Sequence, residues 1–284
     1  MTPSLARSIL ITGCSSGIGL CVAEGLAARG YRVFATARKE QDVALLQAKG
    51  LEALRLDLDD TASIDAAVDE VLARTGGRLY ALFNNAGYGQ PGAVEDLSRA
   101  TLRAQFETNL FGMLELTNRV LPVMRKEGEG RILQNSSVLG YIALSYRGAY
   151  NASKYAIEGI SDTLRLELRG SNIHVCLIEP GPITSRFRAN AFAMYQQRID
   201  KSQSFHRAKY EAMEHRLQTP GPAAPFTLGP EAVLAKVIHA LESARPRARY
   251  PVTQPAIFFA YAKRLLPHTW LDRILGYISD NEAK

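Results

Sequence analysis

Tyr150 and Lys154 stand four residues apart in Tyr150-Asn151-Ala152-Ser153-Lys154, Ser137 lies thirteen residues upstream, and a glycine-rich turn, Thr12-Gly13-Cys14-Ser15-Ser16-Gly17-Ile18-Gly19, opens the chain. On a helix, side chains four apart lie one above the other, so the phenol and the ammonium would share a face. A free tyrosine, with a pKa of roughly 10, is a poor acid near neutrality, and a neighbouring cation lowers that value by favouring the ionised form. The pair is therefore a candidate proton donor. A solvated helix with one tyrosine and one lysine would look the same, and the glycine turn changes the weighting. Where a strand runs into a helix, glycines let the backbone approach a pyrophosphate, whose charge sits at the helix N-terminus. Gly13, Gly17 and Gly19 occupy such a turn, with Ser15, Ser16 and Ile18 between them.

The spacing GxxxGxG departs from the GxGxxG dinucleotide fingerprint, and Gly13-Cys14-Ser15-Ser16-Gly17 also fits the GxSxG turn of serine hydrolases. That rival needs an acid and a histidine later in the chain. His174, His206, His215, His239 and His268 include no obvious candidate, and a hydrolase leaves the Tyr-Lys pair unexplained. Nucleotide binding is the stronger expectation.

Short apolar runs alternate with helical periodicity along most of the chain. Strands are expected at Ser8–Ile11, Arg32–Thr36, Glu52–Leu56, Leu79–Phe83, Arg131–Asn135, His174–Ile178 and Arg249–Val252. Helices are expected from about Gly19, through Leu45 and Leu46, over about 62–74, 99–126 and 150–169, and from Gly229-Pro230-Glu231 with proline in the first turn. Alternation of this kind predicts one doubly wound Rossmann-type α/β domain over residues 1–284, a seven-stranded parallel sheet with helices on both faces. Residues 183–227 break the rhythm with many aromatic and polar side chains and the run Pro220-Gly221-Pro222-Ala223-Ala224-Pro225, as expected of a substrate loop or a packed surface subdomain. A helical extension is expected over about 254–284.

Near the second strand's end, the position that would hold an acid for a ribose 2′-hydroxyl carries Ala37, followed by Arg38-Lys39. Arg38 can make bidentate bonds to a 2′-phosphate, which predicts NADP over NAD. Asp57-Leu58 ends the third strand and would meet the adenine edge, although Asp57 is equally suited to cap the helix from Thr61. Asn84-Asn85-Ala86-Gly87 follows the fourth strand at the carboxyl edge, where such sheets bind ligands.

Composition narrows the classes. With 46% hydrophobic and 22% charged residues the chain is of ordinary globular type, and at this size it would bury roughly three-quarters of its unfolded surface. A net charge of +6 favours phosphate-bearing ligands, but the basic residues are scattered among 28 acidic ones, so nucleic acid is not an expected partner. Cys14, Cys21 and Cys176 are odd in number and lack CxxC spacing, which indicates neither a disulfide framework nor a zinc site and fits a reducing compartment. Met1 to Ser8 lacks a signal peptide's apolar core, and no run approaches the roughly 20 apolar residues of a membrane span, so a cytoplasmic protein is expected. The segment Ile257–Leu266, with Trp270 and Ile274, is expected to pack over the substrate pocket or a neighbouring subunit rather than on a membrane.

Taken together, Thr12-Gly13-x-x-x-Gly17-x-Gly19, Asn84-Asn85-Ala86-Gly87, Asn109, Ser137, Tyr150-x-x-x-Lys154 and Pro180-Gly181 resemble, in order, the motifs of the short-chain dehydrogenase/reductase family from residue 8 to about 184. Ser136-Ser137-Val138-Leu139-Gly140, the stretch Tyr150 to Tyr155, and Glu179-Pro180-Gly181-Pro182-Ile183 resemble bacterial NADP-dependent aldehyde or alcohol reductases, themselves similar to hydroxysteroid and retinol dehydrogenases. The resemblance implies that Tyr150 donates a proton as hydride leaves NADPH, that Lys154 lowers the tyrosine's pKa and bonds the nicotinamide ribose, and that Ser137 orients the carbonyl. It implies that Asn109 holds a water linking Lys154 to solvent, although an amide in that place could equally close a helix bulge. Of the adjacent Ser136 and Ser137, the family's interval to Tyr150 selects Ser137. Pro180, Gly181, Ile183 and Thr184 would contact the cofactor, or else form a strand-ending turn. The implied substrate is a small apolar aldehyde or ketone, or the alcohol in reverse. Pairing through the helices at 99–126 and 150–169 would give a homodimer or homotetramer. The alternative within the fold is a redox-inactive NADP-binding regulator.

Overall fold

Seven strands, β1 (Ser8–Ile11), β2 (Arg32–Ala37), β3 (Glu52–Arg55), β4 (Ala81–Asn84), β5 (Gly130–Asn135), β6 (Ile173–Glu179) and β7 (Arg249–Pro251), form one sheet in the order β3-β2-β1-β4-β5-β6-β7. Every pairing is parallel. The computed structural model describes residues 7–222 and 224–281. The residues ahead of Arg7, Ala223 in the proline-rich run and the end of the expected C-terminal extension lie outside the described residues. Side chains alternate across the strands: Ile9 and Ile11 face a layer with Val22, Leu26, Val43 and Val233, whereas Leu10 faces one with Ile64, Val68, Leu116 and Val120. Both faces are buried, which is why the strands read as continuous apolar runs. Every strand but β1 differs from expectation by one or two residues at an end. β4 pairs from Ala81 to Asn84, and β7 stops at Pro251, whose missing N–H is tolerated on an edge strand.

The helices are α1 (Gly17–Ala28), α2 (Glu40–Ala48), α3 (Thr61–Thr75), α4 (Arg99–Phe106), α5 (Gly112–Glu127), α6 (Gly148–Glu167), α7 (Phe187–Arg198), α8 (Arg207–Gln218), α9 (Glu231–Glu242), α10 (Gln254–Leu265) and α11 (His268–Asn281). The single helix expected over 99–126 is two, joined by a π-helical turn at Glu107–Phe111. Just after that turn α5 passes against the sheet edge: a Cβ at Gly112 would lie 1.9 Å from the Leu58 carbonyl oxygen. The cap of α3 is Asp60, whose carboxylate accepts from Ala62 N at 3.0 Å. Asp57 instead accepts from Asp59 N, so its alternative role as the cap is corrected.

The segment at 183–227 has ends that meet. Thr184 N donates to Leu228 O at 2.9 Å and Leu228 N to Pro182 O at 3.2 Å, closing a loop that carries α7 and α8. These helices have a small core of their own, in which Ala191, Tyr195, Tyr210, Met213 and Leu217 pack on Ala93 and Ile199. Beyond β7, α10 and α11 lay Phe259, Ala262, Leu271 and Leu275 on Leu139 and Ile142. No helix among the described residues is long and apolar enough to cross a membrane.

Candidate active site

The strand order reverses at β1, so the chain leaves β1 and β4 in opposite directions and opens a crevice at their carboxyl ends. The glycine turn lies there. Gly13 (φ +71°) and Gly17 (φ +58°) adopt left-handed backbone that other residues enter only at a cost, and a Cβ at Gly19 would stand 2.2 Å from the Gly13 carbonyl oxygen. Thr12 Oγ1 accepts from the backbone N–H groups of Asn85 and Ala86, both at 2.9 Å, and Asn85 Nδ2 donates back to Thr12 O (2.9 Å) and Gly13 O (3.2 Å). Asn135 Nδ2 donates to Asn85 Oδ1 at 3.0 Å. The ends of β1, β4 and β5 are thus tied together beneath the turn. Ser16, the N-cap of α1, makes no side-chain cap bond, so the first turn's N–H groups keep their capacity to meet an anion.

From this turn a cavity of about 470 Å³ runs to the lid formed by α7 and α8. Ser137, Tyr150 and Lys154 line it, as do Ser15, Ser16, Gly17, Ile18, Asn85, Ala86, Gly87, Pro180, Gly181, Ile183 and Thr184. Ser137 follows β5; its hydroxyl donates to Pro180 O at 3.4 Å, its oxygen accepts from Leu139 N at 3.1 Å, and it lies near enough to the Tyr150 phenol to favour the ionised form. Ser136 turns away. Its Oγ and Glu158 Oε1 flank Gly140, where a Cβ would lie 2.6 and 3.0 Å from them. The two serines therefore face different surroundings, as successive residues at a strand end should.

Burial pushes Tyr150 up to about 12, and the nearby Ser137 hydroxyl and the charge of Arg147 offset only part of this. The net direction at the phenol is upward because desolvation dominates there; the Lys154 ammonium lies 5.6 Å from the Tyr150 ring centroid and donates at 2.6 Å to the carbonyl of Asn135. Lys154 is itself buried, which lowers it to about 8 against the raising influence of Glu158.

Glu158 belongs to an ion cluster behind the site. Arg249 on β7 pairs with Glu158, with Glu179 (2.8 Å) and with Asp162 (2.6 Å). Burial raises both Glu158 and Glu179, the latter to about 7. The α6 positions 150, 154, 158 and 162 fall one turn apart, so a single helix face carries the chain of polar groups from the cavity to Arg249.

Asn109 sits in the π turn and is buried. Its Oδ1 accepts from Tyr88 N (3.1 Å), and its Nδ2 donates to Tyr88 O (3.0 Å) and Ser153 Oγ (3.1 Å). The amide is spent on closing the bulge, and both Nδ2 hydrogens are taken. Thr12, Gly19, Asn109, Arg38, Asp57 and Leu58 do not line the cavity. Arg38 is exposed just past β2, near enough to Tyr88 for its charge to act on that phenol. No histidine among the described residues lines the cavity, which removes the partner Ser15 would need as a nucleophile. Spacing did not reveal Asn135 or Thr253, whose Oγ1 would lie 2.1 Å from a Cβ at Gly181. Only the place of Asn135 at the end of an expected strand, just before Ser136-Ser137, hinted at it.

The family profile of the short chain dehydrogenases matches residues 7–196. The chain is 48% identical to the "Uncharacterized oxidoreductase YbbO" of Escherichia coli (strain K12), over 95% of this chain and 94% of that one. It is 32% identical to the "NADPH-dependent 3-dehydrocapnine reductase" of Ornithobacterium rhinotracheale, over 94% of this chain and 95% of that one. Among solved structures, a short-chain dehydrogenase from Streptomyces avermitilis superposes with a TM-score of 0.75 at 29% identity, covering 99% of this chain and 97% of the other.

Proposed function

This chain belongs to the short-chain dehydrogenase family of oxidoreductases, and on that premise we propose that it reduces an aldehyde or ketone with an apolar body to the alcohol, using NADPH. One observation carries the proposal: the Ser137 hydroxyl, the Tyr150 phenol and the buried Lys154 ammonium line one cavity, which begins at the glycine turn. Gly13, Gly17 and Gly19 let the turn pack tightly, since a Cβ at each would meet Ala86, Ser185 or the Gly13 carbonyl, and the turn so formed offers backbone to a dinucleotide pyrophosphate. NADPH supplies the hydride. The turn residues Ser15, Ser16 and Ile18, the Asn85-Ala86-Gly87 loop, and Pro180, Gly181, Ile183 and Thr184 would hold it, with Asp57 and Leu58 at the adenine.

Tyr150, raised to about 12, keeps its proton at neutral pH and is ready to give it to the carbonyl oxygen as negative charge develops there. Ser137 supplies a second hydroxyl donor to the same oxygen. The Lys154 ammonium, still mostly charged at neutral pH, stabilises the tyrosinate left behind. NADP is favoured over NAD by Arg38, by the absence of an acid at Ala37, and by the NADPH-dependent relative.

The test is NADPH oxidation by the purified protein with aliphatic, aromatic, steroid and retinoid carbonyls. Tyr150→Phe should bind NADPH as the wild type does and lose turnover by ~10²–10⁴-fold. Tight NADPH binding without turnover of any carbonyl would assign the chain to the regulators instead, and full turnover by Tyr150→Phe would overturn the mechanism.

A further inference from the structure

Arg147, Lys154, Arg186, Arg188, Lys209 and Arg216 line the cavity, and no Asp or Glu among the described residues does. The dinucleotide and the reaction account for three of them. Arg147 and Lys154 act on Tyr150, and Arg186 follows Ser185, whose Cβ would lie 3.0 Å from a Cβ at Gly17 in the phosphate turn. Arg188, Lys209 and Arg216 stand on the lid instead.

On α8, positions 209, 213, 216 and 217 recur at i, i+4, i+7 and i+8, so one helix face offers Lys209, Met213, Arg216 and Leu217 to the cavity. The acids of α8 are engaged elsewhere: Glu214 pairs with Lys201 and accepts from the Tyr195 hydroxyl, and Glu211 pairs with Arg207. Arg188 donates to the carbonyls of Arg216 and Gly221, which fix its guanidinium without neutralising it. Lys209 has no hydrogen bond or ion pair among the described residues. A cleft lined by one sign of charge concentrates the opposite sign. Phe187, Met213 and Leu217 beside these cations provide apolar contact at the same end.

Building on the carbonyl reductase proposed above, we infer that the substrate is an amphiphile with an anionic head group of the carboxylate type, held at the lid by Lys209 with Arg188 and Arg216, its apolar body lying toward Phe187 and Tyr150. The experiment compares para-formylbenzoate with its methyl ester, and a long-chain ω-oxo fatty acid with its methyl ester, as substrates with NADPH. The acids should exceed the esters in kcat/KM by about fivefold or more, an advantage that shrinks as salt is added because Lys209 is exposed. Lys209→Gln should lower the acid-to-ester ratio and Lys209→Glu should bring it below one, with NADPH binding following the wild type. Equal kcat/KM for acid and ester in the wild type overturns the inference and leaves the carbonyl reductase standing. A ratio unmoved by both Lys209 substitutions overturns it too, as does a loss of NADPH affinity in Lys209→Glu that matches the loss with the acids, since the cation would then serve the cofactor. No NADPH oxidation with any of these or the wider carbonyl panel brings down the reductase proposal and the inference with it.

Discussion

The ring of Phe187 meets the ring of Tyr150 edge to face, with 5.3 Å between centroids. Phe187 opens α7, so the lid touches the phenol itself, and its ring tip also reaches the backbone at Gly89, where a Cβ would lie 2.8 Å from Cζ. This contact contributes to the desolvation that raises Tyr150. Phe187→Ala should raise KM for the carbonyl roughly tenfold through lost apolar contact. It should also move the basic rise of alcohol oxidation to lower pH, because a wetter phenol ionises more readily. A kcat/KM profile against pH that superposes on the wild type would show that Phe187 does not shield Tyr150.

The serine pair separates function from packing. Ser137 shares the cavity wall with Tyr150 whereas Ser136 faces Gly140 and Glu158, so Ser137→Ala should reduce carbonyl turnover by ~10²-fold or more and Ser136→Ala far less. Steady-state rates in the reverse order would mean that the end of β5 is placed one residue out of register.

Arg38 tests the cofactor through charge. If it grips a 2′-phosphate, Arg38→Ala should weaken NADPH roughly tenfold or more and leave NADH nearly unaffected. Adding Ala37→Asp supplies an acceptor for a free 2′-hydroxyl and repels the phosphate, so the double variant should favour NADH. Nucleotide titrations in which Arg38→Ala weakens both cofactors equally would reduce Arg38 to a solvated surface charge.

Lys154 has a signature in stability. Burial lowers its pKa from 10.5 to about 8, so between those values the unfolded chain binds a proton that the folded chain does not. Stability must therefore rise with pH across that window. Urea unfolding of the wild type, referred to Lys154→Met at each pH, should show a relative gain on the order of 2–3 kcal/mol across the window. A flat difference would mean that Lys154 titrates like a free lysine.

Much of the frame was legible without coordinates. Seven buried strands announce themselves because a parallel sheet covered on both faces demands unbroken apolar runs, and the strand order follows from repeated crossover connections. The Tyr150–Lys154 relation is equally local, since four residues on one helix fix their own alignment. So is the glycine turn, where Gly13 and Gly17 occupy backbone that few other residues tolerate.

The rest depends on groups brought together from distant segments. Spacing suggested that Lys154 would acidify Tyr150, but the direction at the phenol is set by burial, to which the lid contributes from residue 187 onward. Asp57 was the cap expected by type, and the start of α3 decided for Asp60. The Arg249 cluster joins α6, β6 and β7, and the cations facing the cavity from α8 became a set only once that helix was laid over the sheet. Sequence periodicity encodes which face of an element is apolar. Desolvation, charge pairing and the walls of a cavity arise between elements, and only the packed chain fixes them.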